Sequence, residues 1–431
     1  MAGTRICVIG AGLSGLAATR ALSARGFDVE CLERGSAVGG LWRYENDNGM
    51  SGAYAALRTN ASRRRMQYPS FPMPRSYGHF VRHTEMAAYM EAFARAFGLE
   101  RHIRFRTTVE RAEPADGGWR VRTDDGDERT YDALVVASGV YREPWVPSYP
   151  GEFGGETLHS RAYRTPEPFT GRRVVVVGAG QSALEIAAGI STVAARTVLT
   201  CRRGGHILPR YLLGRPFDHF DLDVVNLPPL PVVRANLRLM SALAGSRVDR
   251  GDLPEPGYPL LEETWPTVAT DEISAALGSR AVDVKLGIER LLEDGVRFRD
   301  GTEERVDVVV YATGYRMSFP FLPDEIGRAE ESRFPLYRRI VSPRAASLHF
   351  VGILEPGPRL PLVMELQSRW LAEHLAGRIP LPPPAEMARA IERAEPRTRR
   401  QFGMRGPGTV FCDGHTYVRL LRRDLRRAGA P

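Results

Sequence analysis

Short runs of apolar residues recur along the chain, and each run ends at or just before a glycine. Ile6–Ile9, Ala133–Ala137, Val174–Val177 and Val306–Ala312 are apolar at nearly every position. A run without alternating polar residues is typical of a strand that is buried on both faces of a parallel sheet. Between such runs, apolar residues recur every three or four positions, as they do on one face of a helix. The pattern predicts an α/β protein with parallel strands and intervening helices.

Two other features complete the predicted outline. Around the apolar runs we expect the helices Glu85–Phe97, Leu362–Ala376 and Ala385–Arg393 and the strands Ile103–Val109 and Trp119–Thr123. The segment 206–265 shows no strong periodicity and is rich in Pro and Leu. We interpret it as a variable segment that shapes a pocket.

The first apolar run ends in a glycine-rich motif. Gly10-Ala11-Gly12-Leu13-Ser14-Gly15 has the spacing G-x-G-x-x-G, and a helical pattern follows at once. The next strand, Asp28–Leu32, ends in Glu33. In a βαβ unit these glycines allow a tight turn, a close approach of pyrophosphate and packing of the helix on the strand, and the acid binds a ribose hydroxyl. A glycine-rich turn that binds nothing is the alternative, but it does not explain why strand, helix and acid occur together.

A second motif of this kind follows the run Val174–Val177. Gly178-Ala179-Gly180-Gln181-Ser182-Ala183 has Ala in place of the third glycine, and the strand Thr197–Cys201 ends in Arg202 and Arg203. Arginine suits the 2′-phosphate of NADP(H), whereas an acid suits an unmodified ribose. The pattern therefore predicts NADP(H) here, unless the arginines only cover a solvated turn. Ser182 either binds a cofactor phosphate or caps the helix.

The length of 431 residues suits two domains. Glu143–Pro150 is rich in Pro and is the predicted crossing between them. We predict one dinucleotide-binding domain from residues 1–150 and 306–431, and a second from residues 165–305 inserted into the first.

Charge and cysteine content exclude several functions. The net charge is +8, but the basic residues are spread along the chain, and all except Lys285 are Arg. This distribution argues against nucleic-acid binding and suits a site for a phosphate-rich cofactor. Four scattered cysteines without a C-x-x-C pair argue against a redox dithiol, a zinc site or a disulfide framework. An NADPH-linked disulfide reductase is excluded on the same ground, and Cys7, Cys31 and Cys201 are expected in the core.

The chain begins its first strand within a few residues of Met1, and it has no apolar run of transmembrane length. We therefore expect a cytoplasmic protein without a signal segment or a membrane anchor.

A longer motif lies just before the second glycine loop. Residues 153–163, FGGETLHSRAY, fit the pattern F-x-G-x-x-x-H-x-x-x-[Y/F] at every defined position. In this motif, and in the GGLW, TN-x-S, FPMP, ATGY and ExQxRW segments, the chain resembles the flavin-containing monooxygenases, class B flavoprotein monooxygenases that use FAD and NADPH. The resemblance covers roughly residues 5–385. It implies two Rossmann-like domains, an FAD domain with an NADPH domain inserted, so that FAD belongs to the Gly10 loop and NADPH to the Gly178 loop.

The resemblance also implies a reaction. NADPH reduces FAD, the reduced flavin forms a C4a-hydroperoxide with O2, and one oxygen atom passes to a soft nucleophile of a small molecule. Baeyer–Villiger relatives usually carry Trp followed by Pro or Asp where this chain has Tyr163-Arg164. The difference favours oxygenation of an amine nitrogen or a sulfide sulfur. Oxidation of a ketone, and a flavin-binding regulatory protein without turnover, remain the alternatives. A homodimer is a family-level expectation.

The resemblance assigns site residues as well. Asn60 is the predicted catalytic residue, because the matching Asn contacts flavin and nicotinamide in the family; its alternative is a turn-capping role. His159 is expected to link domains and not to transfer protons. Gln367 is expected to approach the flavin or else to lie at the surface. The predicted cofactor-binding residues are Gly10, Gly12, Leu13, Ser14, Gly15, Glu33, Arg34, Gly40, Leu41, Trp42, Thr59, Asn60, Val109, Gly139, Gly178, Gly180, Gln181, Ser182, Ala183, Arg202, Arg203, Thr313, Gly314 and Gln367, and no metal is expected.

Overall fold

Two parallel sheets organise the protein. A computed structural model describes residues 3–220, 249–257, 267–328, 334–345, 347–357, 359–402 and 414–429, together with Cys412 and isolated positions between 232 and 242. The predicted pocket segment 206–265 therefore falls largely outside the described residues beyond position 220. The predicted α/β class with two Rossmann-like units is confirmed.

The first sheet has five strands whose neighbours all pair in parallel. Their spatial order is Leu348–Phe350, Ala133–Val136, Arg5–Ile9, Asp28–Leu32, Ile103–Arg104. The central strands are almost completely buried, as their unbroken apolar runs predict.

The second sheet also has five strands, again all parallel. Their order is Asp283–Leu286, Arg196–Cys201, Arg173–Val177, Val308–Tyr311, Glu156–His159. Two of these strands lie outside the range 165–305 predicted for the second domain. Val308–Tyr311 pairs with Arg173–Val177, and Glu156–His159 pairs in turn with Val308–Tyr311. The second unit therefore begins before residue 165 and continues past residue 305.

Smaller sheets of two or three strands, and helices, surround these two units; all of these smaller sheets are antiparallel except the parallel pair Ile207–Pro209 with Thr267–Ala269. One three-stranded sheet contains Val109–Ala115, Gly118–Thr123 and Glu128–Tyr131, and another contains Ile288–Leu292, Gly295–Phe298 and Glu303–Arg305. The two-stranded sheets pair Glu143–Pro144 with Tyr315–Arg316, Ile207–Pro209 with Thr267–Ala269, and Tyr211–Leu212 with Arg215–Pro216. The α-helices whose bounds the structure describes are α1 (Leu13–Ser23), α2 (His83–Ala96), α3 (Gln181–Ile190), α4 (Asp271–Gly278), α5 (Asp324–Gly327), α6 (Leu360–Leu375), α7 (Pro384–Phe402) and α8 (Gly414–Arg427).

The predicted single strand Ile103–Val109 is wrong. Arg106 adopts a left-handed φ of 53°, and the backbone N–H of Thr107 turns back to the carbonyl of Glu33 at 2.9 Å. A left-handed residue breaks a strand, since it reverses the pleat. Ile103–Arg104 therefore closes the first sheet, and Val109 begins a separate sheet.

Helix α6 packs along α1 and fixes one side of the first unit. Arg20 on α1 forms an ion pair with Glu365 at 3.1 Å, and Arg25 pairs with the buried carboxylate of Glu373. All four cysteines are buried and none is in a disulfide bond, and the predicted core positions of the three in strands are confirmed.

Candidate functional site

A cavity of about 1490 Å³ lies between the two units, at the carboxyl ends of strands of the second sheet. Ligand sites in open α/β sheets form at this edge. Small-molecule pockets are usually about 300–1,000 Å³, so this cavity has room for parts of two cofactors and a substrate. The predicted residues that line it are Leu41, Trp42, Asn60, Gly178, Gly180, Gln181, Ser182, Arg202, Arg203, Thr313 and Gly314.

The first glycine loop has the shape of a pyrophosphate cradle. Gly10 has a φ of +101°, and a β-carbon at position 15 would lie 1.7 Å from the carbonyl oxygen of Gly10. The predicted packing role of Gly15 is therefore confirmed. Gly12 faces only the Cα of Gly40, which would lie 3.7 Å from a β-carbon at position 12. No side chain caps α1, so its first N–H groups point at the loop.

Two further observations fit an anionic ligand beside this loop. The buried hydroxyl of Ser138, next to Gly10, has no hydrogen-bond partner among the described residues. Burial, together with the nearby charges of Arg34 and Arg161, lowers the pKa of Arg142. A cluster of three guanidinium groups is stabilised when an anion binds between them.

Glu33 is buried at the end of its strand. One carboxylate oxygen accepts the backbone N–H of Ala11 at 2.6 Å, and the other accepts that of Gly35 at 2.8 Å. Glu33 thus holds the glycine loop in place. An ionised carboxylate retains further lone pairs, so the predicted contact with a ribose hydroxyl stays compatible with this geometry.

Several predicted cofactor residues of the first unit serve its internal packing. Thr59 pairs with Val81 through two hydrogen bonds of 2.9 Å, and the Ser14 hydroxyl donates to the Met364 sulfur at 3.1 Å. Val109 lies in the core beside Trp119, whereas Gly139 has a φ of +81° and open space around it. None of these four predicted residues lines the described cavity.

The side chain of Gln367 lies between two helices of the first unit. It is completely buried, which excludes the surface alternative. Its carbonyl oxygen accepts the N–H of Gly352 at 3.0 Å, and its amide nitrogen donates to the Tyr417 hydroxyl at 2.8 Å and to the carbonyl of Arg339 at 3.2 Å. The side chain therefore joins α6 to α8, and its predicted contact with a flavin has no support from the cavity lining.

The second glycine loop opens onto the cavity. Gly178 has a φ of +139°, and a β-carbon there would lie 2.4 Å from the carbonyl oxygen of Ala312. A β-carbon at Gly180 would meet no atom within 4 Å. Ala183, in the third position, is fully buried. The capping alternative for Ser182 is wrong, because Gly180 is the N-cap of α3 and no side chain caps the helix.

Three arginines line the cavity near this loop. Arg202 and Arg203 are exposed and line the cavity, as predicted for a phosphate clamp, and Arg299 lines it with them. Burial raises the pKa of Tyr149, while the charges of Arg202 and Arg299 oppose that rise, so both lie near this hydroxyl. Arg299 was not predicted from the sequence, because no local motif marks it. The strand order brings it there.

Asn60 is exposed on the cavity wall. Among the residues that the structure describes, none hydrogen-bonds its amide, so the turn-capping alternative lacks the bond it requires. The loop that carries Asn60 is anchored on the second unit: the N–H of Ser62 donates to Asp218 Oδ2 at 2.7 Å. The described part of the predicted pocket segment thus contacts the loop and lines the cavity.

His159 is neutral and fully bonded. Its Nε2 donates to the carbonyl of Gly314 at 3.0 Å, and its Nδ1 accepts the N–H of Arg161 at 3.2 Å. Burial and the charge of Arg161 lower its pKa. With both ring nitrogens engaged, the geometry argues against proton transfer, and the linking role stays a prediction. Tyr163 is buried against Tyr54 of the first unit, with ring centroids 5.6 Å apart.

An ionic cluster on the cavity wall has no counterpart in the sequence analysis. Arg210 Nη2 lies 3.8 Å from Glu185 Oε1, and the Arg210 guanidinium lies 4.7 Å from the ring centre of Phe80. Gln181, a predicted cofactor residue, donates its amide to Glu185 at 2.7 Å and to the carbonyl of Val268 at 2.9 Å. Arg210 falls in the segment without periodicity, which is why no pattern marked it.

Two negative findings apply to the described part of the chain. No helix there is long and apolar enough to cross a membrane. No group of three or more His, Cys, Asp or Glu side chains there could hold a metal ion.

Comparison with known proteins gives consistent matches. A family model described as "Flavin-binding monooxygenase-like" matches residues 3–421. Dimethylaniline monooxygenase [N-oxide-forming] 2 of Mus musculus is 34% identical over 417 residues, which cover 91% of this chain and 77% of the relative. Flavin-containing monooxygenase 2 of Homo sapiens is 31% identical and covers 98% of this chain and 82% of the relative.

Solved structures agree with these matches. S-allyl-L-cysteine S-oxygenase from Allium sativum superposes with a TM-score of 0.73 at 28% identity, covering 99% of this chain and 89% of that one. Cyclohexanone monooxygenase from Rhodococcus sp. Phi1, bound to NADP+, has a TM-score of 0.73 at 18% identity, with 98% of each chain covered. At that identity the likeness concerns the fold.

Proposed function

This chain belongs to the flavin-binding monooxygenase-like family and is an FAD- and NADPH-dependent monooxygenase, and from that premise we propose that it oxygenates the nitrogen of an amine or the sulfur of a sulfide in a small molecule. The observation that carries the proposal is the 34% identity, over 91% of the chain, to a relative named for N-oxide formation. Tyr163 supports it, because it stands where Baeyer–Villiger relatives usually carry Trp.

We propose that the Gly10 loop holds FAD and the Gly178 loop holds NADPH. The orphaned Ser138 hydroxyl and the cluster at Arg34, Arg142 and Arg161 support an anion at the first loop. The open space at Gly180 and the nearby arginines support a phosphate-rich ligand at the second. FAD supplies the oxygen-activating chemistry, and NADPH supplies the reducing equivalents.

The chain itself positions the reactants and excludes water. Asn60 offers amide donors to the cavity and has no competing partner among the described residues, so we assign it the contact with the reacting groups. Leu41, Trp42 and Leu57 form an apolar wall beside it, and an apolar wall protects a reactive oxygen species from water. No acid–base pair is required of the protein, because the redox groups carry the reaction.

The domain division is also a proposal. Strand pairing supports an NADPH-binding domain that extends from the strand Glu156–His159 to the strand Val308–Tyr311, with the FAD-binding domain formed by the chain on either side. A cytoplasmic location stays a prediction from the sequence, and a homodimer stays a prediction from the resemblance.

A substrate panel tests the proposed function. NADPH consumption, peroxide release and product would be measured with thioanisole, N,N-dimethylaniline and phenylacetone. We expect a sulfoxide or an N-oxide, with product formed in proportion to the NADPH consumed. An ester from phenylacetone as the main product would instead identify a Baeyer–Villiger enzyme. A yellow protein that NADPH does not bleach would identify a binding protein without turnover.

A further inference from the structure

The pair Arg210–Glu185 places a buried cation on the wall of the cavity. Both side chains are 12% exposed, and their charged atoms are 3.8 Å apart, which is an ion-pair distance and too long for a hydrogen bond. Glu185 instead accepts a hydrogen bond from Gln181. The guanidinium of Arg210 therefore keeps hydrogen-bonding capacity that Glu185 does not use.

The surroundings of Arg210 favour an anionic ligand. Its Nε is buried and has no hydrogen-bond partner among the described residues. Burial lowers its pKa, while the charges of Glu185 and Glu272 raise it. An unpaired donor on a buried guanidinium costs free energy that a planar carboxylate relieves with two parallel hydrogen bonds.

Arg210 also lies near the proposed reaction site. Its guanidinium stacks on Phe80, and the next residue, Val81, forms two hydrogen bonds with Thr59. Asn60 follows Thr59 directly, so Phe80 and Asn60 flank the same pair of bonded residues. The side chains of Arg210, Phe80 and Asn60 all line the same cavity.

The phosphates of NADPH have their own partners elsewhere on the wall. The N-terminus of α3 at Gly180 suits the pyrophosphate, and Arg202, Arg203 and Arg299 suit the 2′-phosphate. The ring that Arg210 contacts belongs to the loop of the first unit, on the side of Asn60. This arrangement leaves Arg210 for a different anion.

We propose that Arg210 binds a carboxylate of the substrate, so that the preferred substrates are small amines or thioethers that carry a carboxylate group. The inference rests on the proposed function and names its substrate class. With a thioether, the sulfur gains one oxygen atom of O2 and the other atom leaves as water, with one proton taken from solvent. Of the four electrons that O2 takes up, two come from the sulfur and two from NADPH, which becomes NADP+. The carboxylate stays unchanged and serves to orient the sulfur.

A pair of isosteric substrates tests this role. Steady-state oxygenation of 3-(methylthio)propanoate and of 3-(methylthio)propanamide would be compared in the unmodified holoenzyme and in Arg210→Met, which keeps the length of the side chain and removes its charge. We expect kcat/KM for the acid to fall about tenfold to a hundredfold, the range for a lost charged hydrogen bond. For the acid, the change should appear mainly in KM and not in kcat. For the amide, kcat/KM should change less than threefold. Arg210→Lys should recover part of the loss for the acid.

Controls separate this role from the alternatives. Arg196→Met removes an arginine of the same unit that pairs with Glu304 at the surface, and it should leave both substrates unaffected. An equal loss for acid and amide, or a matching rise in KM for NADPH, would overturn the proposal and assign Arg210 to the cofactor or the fold. If the unmodified enzyme oxygenates neither of the two thioethers, nor thioanisole, nor N,N-dimethylaniline, the proposed function itself fails, which is a distinct result.

Discussion

The two glycine loops begin from nearly the same sequence and differ in how the protein surrounds them. The first is enclosed: Gly40 lies on Gly12, Glu33 holds Ala11, and α6 packs along α1. The second faces the cavity, with free space at Gly180. An enclosed loop suits a cofactor that stays bound through turnover, and an open one suits a cofactor that must exchange. How far the protein encloses each glycine loop therefore distinguishes the two cofactor sites more clearly than the glycine motif does.

The largest expected effect comes from the third position of each loop. Gly15→Ala forces a β-carbon to 1.7 Å from the carbonyl oxygen of Gly10, and we expect a loss of about 3 kcal/mol or more in stability, together with loss of bound flavin. Ala183→Gly, the matched change in the second loop, should cost only about 1 kcal/mol. Thermal unfolding and flavin content per chain measure both. Equal losses would contradict the asymmetry.

The substitution Asn60→Ala should affect oxygenation but not the reduction of the flavin by NADPH. The reduction of bound flavin by NADPH should persist, because the second loop is untouched, whereas product per NADPH should fall about tenfold or more, as expected for a lost preorganised donor. Stopped-flow bleaching of the flavin and peroxide release measure the two steps. A variant with the product yield of the unmodified enzyme would remove Asn60 from the site.

Charge reversal tests the cofactor of the open loop. Arg202→Glu should raise KM for NADPH about tenfold to a hundredfold, with less than a twofold change for NADH, because only NADPH carries the 2′-phosphate. Arg299→Met should act in the same direction with a smaller effect. Flavin content should stay constant in both. Equal changes for the two nucleotides would point to a different phosphate clamp.

The smallest effect concerns pH. Burial lowers the pKa of His349, in the first sheet, to about 3, so the unfolded chain binds a proton at this residue below about pH 6.5 and the folded chain does not. Its stabilising contribution is present above pH 6.5 and falls by about 1.4 kcal/mol between pH 7.5 and 5.5. Thermal unfolding of the unmodified protein and of His349→Leu at both pH values measures this change in stability. The same change with pH in both proteins would contradict the prediction.

Glu185 of the second unit should have the opposite effect on the pH dependence of stability, because its contribution falls as the pH rises. Burial raises its pKa to about 7, so the folded chain holds a proton that the unfolded chain releases above its ordinary value near 4.5. The stabilising contribution is therefore complete below pH 4.5 and is lost as the pH rises through 7. Glu185→Gln should reduce this loss at neutral pH.

Much of the fold was predictable because its causes are local. An apolar run without alternation has to be buried on both faces, and each such run became a central strand of one of the two sheets. Arg106 shows the limit: its left-handed backbone ends a strand that the residue types alone would continue.

The candidate site was predictable only in part. Motif residues such as Gly180, Arg202 and Asn60 do line the cavity. Arg299 and Arg210 carry no motif and reach the same wall through strand order and through a segment without periodicity. Their approach depends on contacts between residues far apart in the chain, which no local pattern records.

The sequence by itself determined the two βαβ units and the need for glycine at position 15, because steric demands and burial act over a few neighbouring residues. It also carried the family, through motifs of fixed spacing. Only the tertiary structure decided that Val308–Tyr311 joins the second sheet and that Gln367 bonds to Gly352 and Tyr417. Pairing and hydrogen bonding there satisfy buried backbone and amide groups whose partners lie tens to hundreds of residues away, so folding had to bring them together first.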